Sequence, residues 1–210
     1  MRTIHQIVFG SNINDLVNTC LKSWNILKND GFEIVKWNES KVLKFLEKYY
    51  QFALPAYEGS RNLAEASDLA RYLIIYHFGG CYVDWDIQLI HPPKFTALIE
   101  NNKEGFLILD PQTKVLSCEC FFLAPGNPFL LYLAREIVNL FDEKIQIKLL
   151  TPQYSGPFRL TESYNCYKNP KPKQILLEKI FAYTYEEIRL MPERDIRQPL
   201  IHYWSHLWLS

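Results

Sequence analysis

Ala66-Ser-Asp-Leu-Ala-Arg-Tyr-Leu-Ile-Ile-Tyr-His-Phe-Gly-Gly-Cys-Tyr-Val-Asp-Trp-Asp86 holds a helix, its stop and a strand in one short run. Ala66, Leu69, Ala70, Leu73 and Ile74 recur at helical spacing, so a helix runs from about Leu63 to Phe78. Gly79-Gly80 ends it, because glycine tolerates the left-handed backbone that closes helices. Cys81-Tyr-Val then reads as a brief buried strand that delivers Asp84-Trp85-Asp86 at its end, and Ile87 to Ile90 continues extended.

Upstream, Thr3 to Phe9 reads as a strand closed by Gly10-Ser11-Asn12, and Leu16, Val17, Leu21, Trp24 and Leu27 mark a helix that Gly31 ends. Phe32 to Trp37 is a second strand, and Ser40 is placed to cap a helix carrying Val42, Leu43, Phe45 and Leu46. Pro55 to Arg61 reads as irregular. Downstream come strands at Phe106 to Leu109 and Phe121 to Ala124, a helix from about Pro128 to Phe141, and a surface loop at Asn169-Pro-Lys-Pro-Lys. Strands alternating with helices predict an α/β fold, a parallel sheet covered by helices. The aromatic tail from His202 to Trp208 is too apolar to be a free end.

The 210 residues suffice for one core and are read as a single domain, 1–210. Nearly half are hydrophobic, with 13 Tyr, 13 Phe and 5 Trp, a composition that excludes long disorder. Lys and Arg total 23 and Asp and Glu total 23, which argues against a general grip on nucleic acid or anionic membrane. An anionic ligand must be held locally. The first residues lack a signal-peptide core, and no stretch approaches the roughly 20 apolar residues of a membrane span. The expectation is a soluble, cytoplasmic chain. Cys20, Cys81, Cys118, Cys120 and Cys166 have no metal or redox spacing and are read as free thiols.

Two carboxylates one residue apart at a strand end can converge on a divalent cation where the backbone turns. Such a cation offsets the charge of a departing diphosphate, which is why nucleotide-sugar chemistry favours oxygen ligands. Alone, Asp84-Trp85-Asp86 is more often a solvated turn. Asp68 and Arg71, three apart on one helix face beside an apolar run, are either an intrahelical ion pair or substrate-binding groups.

The run from Ala66 to Asp86 closely resembles the central signature of the glycosyltransferases with the D-x-D sugar-binding region, a group with yeast-type initiating mannosyltransferases, capsular-sugar transferases and clostridial glucosylating toxins. It is also similar to glycosyltransferase domains that decorate chlorella-virus capsids, which implies that the chain is a domain excised from a larger protein. The resemblance implies a GT-A fold, with a Rossmann-like, mostly parallel sheet flanked by helices. It implies a hexosyltransferase using a nucleotide-sugar donor, UDP-sugar first and GDP-sugar second, with Mn²⁺ or Mg²⁺, and a glycan or glycoprotein acceptor.

Carried over residue by residue, the resemblance makes Asp86 a direct metal ligand and Asp84 a ligand through water or a ribose contact. Asp68 and Arg71 would hold sugar hydroxyls near Tyr82, and the segment Gln6, Ile7, Val8 and Phe9 would contact the base, with Trp85 beside the donor. His202 would be a further metal ligand, with His206 as its competitor, and Trp208 would close over the diphosphate. Ser155-Gly156-Pro157 resembles the family's turn near the acceptor. Ala124-Pro-Gly-Asn-Pro128 resembles a family segment with Asn127 in place of His. Retention of configuration is favoured; were the reaction inverting, Glu119 and Asp110 follow predicted strands and are available as the base. A haloacid-dehalogenase-type phosphatase, whose D-x-D lies on the first strand, and a catalytically silent sugar-binding module are the alternatives.

Overall fold

A computed structural model describes residues 2–10 and 13–205. In chain order the elements are β1 (Thr3–Ile7), α1 (Asp15–Ser23), β2 (Glu33–Trp37), α2 (Glu39–Tyr49), α3 (Leu54–Glu58), α4 (Leu63–Phe78), β3 (Gly80–Val83) and β4 (Ile87–Leu89). They continue with α5 (Pro92–Glu100), β5 (Gly105–Leu109), β6 (Leu116–Leu123), α6 (Pro128–Asp142), α7 (Thr151–Tyr154), α8 (Pro157–Cys166), β7 (Gln174–Leu176), α9 (Glu187–Leu190) and β8 (Leu200–His202).

Six strands form the main sheet in the order β2-β1-β3-β6-β5-β7, and β4 pairs with β8 in a second, two-stranded sheet. The parallel expectation holds for β2-β1, β1-β3 and β5-β7. It fails at β6, which runs antiparallel to both β3 and β5. The physical reason is connectivity: β5 returns to β6 through the tight turn after Asp110, and only a long crossover could make those neighbours parallel.

α4 lies where the helical spacing places it. Asn62 caps it by accepting from the Glu65 amide, and its other end closes on Gly79 at φ +64°. Gly80 follows at φ +98°, and a Cβ there would come within 2.6 Å of the Thr3 carbonyl oxygen. The double glycine thus ends the helix and lets β3 lie tightly against β1. α4 is buried along most of its length, including Glu65, Asp68 and Arg71.

Three local expectations are corrected. Asn38, not Ser40, caps α2, because its side chain accepts from the Lys41 amide. The stretch after Leu54 is a short helix, α3, since Pro55 sits in the first turn where its missing N–H costs nothing. β6 begins at Leu116, well before Phe121. One apolar core on the α4 and α6 side joins Tyr72, Leu73, Phe121 and Phe129, and a second on the other face joins Trp24, Phe95, Phe106 and Phe122. The five cysteines are free, four of them buried. Among the described residues no helix is long and apolar enough to cross a membrane.

Candidate active site

β3 ends at Val83, and the backbone turns before β4 starts at Ile87, so Asp84 and Asp86 sit on the bend between the two sheets. The turn is closed by the Ile87 amide donating to the Asp84 carbonyl. β8 pairs with β4 so that His202 stands opposite Ile87, and the Tyr203 amide donates to the Asp86 carbonyl. Residues 202–205 therefore run along the D-x-D segment. Side-chain ligand atoms of Asp84, Asp86 and His202 all lie within 4.8 Å of one another.

His202 Nε2 stands 3.4 Å from Asp86 Oδ1, and the Ser205 amide and hydroxyl both donate to Asp86 Oδ2, at 2.7 and 2.9 Å. Asp86 Oδ1 and His202 Nδ1 are buried and make no hydrogen bond with the described residues. Burial works against the Asp86 carboxylate, yet His202 and Ser205 outweigh it and hold its pKa at about 2. Burial likewise opposes the His202 imidazolium, but Asp86 and Glu119 raise it to about 10. Burial, aided by the charge of Asp86, pushes Asp84 up to about 7 in spite of the Arg71 guanidinium. A group of acids and a histidine so polarised, with orphaned buried atoms, is fitted to a divalent cation that would take the place of the imidazole proton. Two carboxylates and an imidazole suit Mn²⁺ better than Mg²⁺.

α4 supplies the neighbouring wall. Arg71 reaches Asp68 Oδ1 at 3.2 Å and Asp84 Oδ1 at 3.4 Å, donates to the Cys118 carbonyl at 2.8 Å and lies over the Tyr82 ring. The Tyr82 hydroxyl donates to Asp84 Oδ1 at 2.6 Å, and the Ser155 hydroxyl to Asp68 Oδ2 at 2.7 Å. Gly156 allows that last contact, since a Cβ there would crowd Pro152 at 3.0 Å and approach Asp68 Oδ2 at 3.5 Å. A cavity of about 730 Å³ opens onto Asp68, Arg71, Asp84, Asp86 and His202, a size suited to a small-molecule ligand. Phe158, Trp204 and Leu177 give it apolar walls.

The structure thus brings together Asp68, Arg71, Tyr82, Asp84, Asp86 and His202. Gln6, Ile7 and Phe9 are buried on and just after β1, and Val8 packs with Trp85, Val17 and Leu21 beneath α1; none of the four is among the residues that line the cavity. Neither amide atom of the Gln6 side chain finds a hydrogen bond among the described residues. His206 and Trp208 lie outside the described residues. Asn127 caps α6 through the Phe129 amide. Three contributors escaped the motif reading or its roles: Ser205, Ser155 as a partner of Asp68, and Glu119 as a neighbour of His202 at 3.7 Å. Serines carry no distinctive spacing, and Glu119 is mid-strand rather than in a motif.

Residues 14–104 match the family model described as glycosyltransferase sugar-binding region containing DXD motif. Inositol phosphoceramide mannosyltransferase 1 of Schizosaccharomyces pombe is 28% identical over 171 residues, which cover 79% of this chain and 51% of that protein. Inositol phosphoceramide mannosyltransferase 3 of the same yeast is 27% identical over 150 residues, 65% of this chain and 37% of that one. The chain spans about half the length, or less, of these relatives. Among solved structures, a glycosyltransferase involved in glycosylation of the major capsid of PBCV-1 superposes with a TM-score of 0.54 at 12% identity, covering 97% of this chain and 93% of that one. The PaToxG glycosyltransferase gives 0.56 at 17% identity over 78% of this chain and 67% of that one. The fold is GT-A, a mixed sheet flanked by helices.

Proposed function

We propose that this chain, whose residues 14–104 match a glycosyltransferase sugar-binding region containing the DXD motif, is a metal-dependent glycosyltransferase that moves a hexosyl or deoxyhexosyl group from a nucleotide sugar to an acceptor hydroxyl. The observation that carries the reading is the Asp84-Asp86-His202 cluster, buried, within 4.8 Å and open to the cavity that Asp68 and Arg71 also line. UDP-sugar is the first-choice donor and GDP-sugar the second. The acceptor is a glycan or glycoprotein hydroxyl. The relatives named inositol phosphoceramide mannosyltransferases make an inositol-phosphate lipid headgroup the acceptor to test beside it.

When bound, a divalent cation such as Mn²⁺ supplies Lewis acidity against the charge of the departing diphosphate. Asp86, kept ionised, and His202 would hold it, with Asp84 adjoining. Ser205 fixes Oδ2 of Asp86 and so aims Oδ1 toward His202. Arg71 is committed to Asp68, Asp84 and the Cys118 carbonyl, which makes it the residue that sets the spacing between sugar and metal groups. Asp68, held by Arg71 and Ser155, keeps lone pairs for sugar hydroxyls at the cavity wall. Most of the rate gain comes from charges placed in advance.

Turnover of UDP- and GDP-hexoses with Mn²⁺, read as nucleotide released with and without glycan, glycoprotein and glycolipid acceptors, tests the proposal. Metal-dependent release is expected. Binding of a nucleotide sugar with no release under any condition identifies a silent binding module instead.

A further inference from the structure

We propose that Glu119 is a positioning residue for His202: it receives the ring's Nδ1–H so that the Nε2 lone pair is turned toward Asp86 and the cation shared with it. This rests on the metal reading above. Glu119 sits on β6, and its backbone carbonyl accepts from the Asp84 amide at 2.9 Å, so one residue is tied to the start of the D-x-D turn and faces the histidine that completes the cluster. Its Oε1 lies 3.7 Å from His202 Nδ1, while Nε2 of the same ring lies 3.4 Å from Asp86 Oδ1. The two nitrogens therefore have different carboxylate neighbours.

Nδ1 is buried and has no hydrogen-bond partner among the described residues, so leaving it unmatched carries the penalty of an orphaned polar atom. A small turn of the imidazole brings Nδ1–H onto Glu119 Oε1. Trp204, at a ring-centroid distance of 4.1 Å, and Phe181, at 5.9 Å, both lie tilted against the imidazole and limit how far it can swing. The Glu119 side chain is only 14% exposed, which favours the contact over solvation. A carboxylate on the far nitrogen fixes the tautomer of a ligating histidine and raises its basicity.

The test titrates Mn²⁺ alone into wild type, Glu119→Gln, Glu119→Met and His202→Ala by calorimetry. Pulsed electron paramagnetic resonance then reads directly bonded ¹⁴N on the bound Mn²⁺. Glu119→Gln keeps an oxygen acceptor and is expected within about 3-fold of wild type with its nitrogen coupling intact. Glu119→Met keeps the bulk without the acceptor and is expected to bind about 10- to 100-fold more weakly with that coupling lost or altered, as in His202→Ala. If Glu119→Met does not fold, Glu119→Ala carries the same comparison. Equal affinity and unchanged coupling in the acceptor-less variant overturn this assignment alone. Equal loss in Glu119→Gln and Glu119→Met makes Glu119 itself a ligand, which also overturns it. A wild type that binds no Mn²⁺ overturns the metal reading and takes this one with it.

Discussion

Glu65 and Asp86 are both fully buried carboxylates, their side chains 0% and 3% exposed, yet the protein fills their acceptor sites differently. Glu65 accepts from the backbone amide and guanidinium of Arg61, from the Gln146 amide and from the Thr151 hydroxyl, and its acceptor sites are filled by the protein. It ties α4 to the segment that follows α6. Asp86 has Oδ2 filled by Ser205 and Oδ1 unmatched, facing a histidine whose other nitrogen is also unmatched. Burial alone does not distinguish a structural acid from a functional one. The unfilled acceptor does, because a buried group left short of partners is tolerated where a ligand completes it.

Substitutions that break this comparison should separate stability from chemistry. Asp86→Asn should lower turnover on the order of 1000-fold and abolish the rise in melting temperature that Mn²⁺ gives wild type, both read on the same preparations. Glu65→Leu should do the opposite. It should cost about 3 kcal/mol in denaturant unfolding by stranding Gln146 and Thr151, and leave the Mn²⁺-induced rise in place. A Glu65 variant that loses its metal response while folded would erase the distinction.

His5 sharpens the contrast as a buried polar group satisfied only when neutral. Trp37 donates to its Nδ1, and Nε2–H donates to the Gly79 carbonyl. Burial depresses its pKa to about 4, against 6.5 when exposed. Its contribution is therefore complete above pH 6.5 and is lost as pH falls toward 4, by about 1 kcal/mol per pH unit across that window. His5→Phe should flatten the slope of stability against pH there, and an unchanged slope would refute the assignment. The smallest effect belongs to an exposed group. Asn38→Ala removes the cap of α2 and should cost about 1 kcal/mol, with turnover unaffected.

The sequence was most legible where local physics decides. α4 was readable to its ends because an apolar period and a double glycine agree, and the D-x-D turn follows directly from its stop. β6 was read late and short because Ser117 and Glu119 interrupt the apolar run, and those positions are polar because they border the cavity. α3 was hidden by a proline that is harmless in a first turn. Asp68 with Arg71 was visible as a helical pair, but the hold of Arg71 on Asp84 needs the end of β3 brought beside α4. Ser205, and the place of Glu119 beside His202, were beyond reach for the same reason: each depends on a pairing between strands far apart in sequence, β8 on β4 and β6 on β3.

Calorimetric titration of UDP into the wild-type protein, with and without Mn²⁺, tests the central claim most directly. The account predicts binding that appears with Mn²⁺, vanishes with chelator and is absent in Asp86→Asn. UDP binding of equal strength without metal, or undiminished in Asp86→Asn, would contradict it.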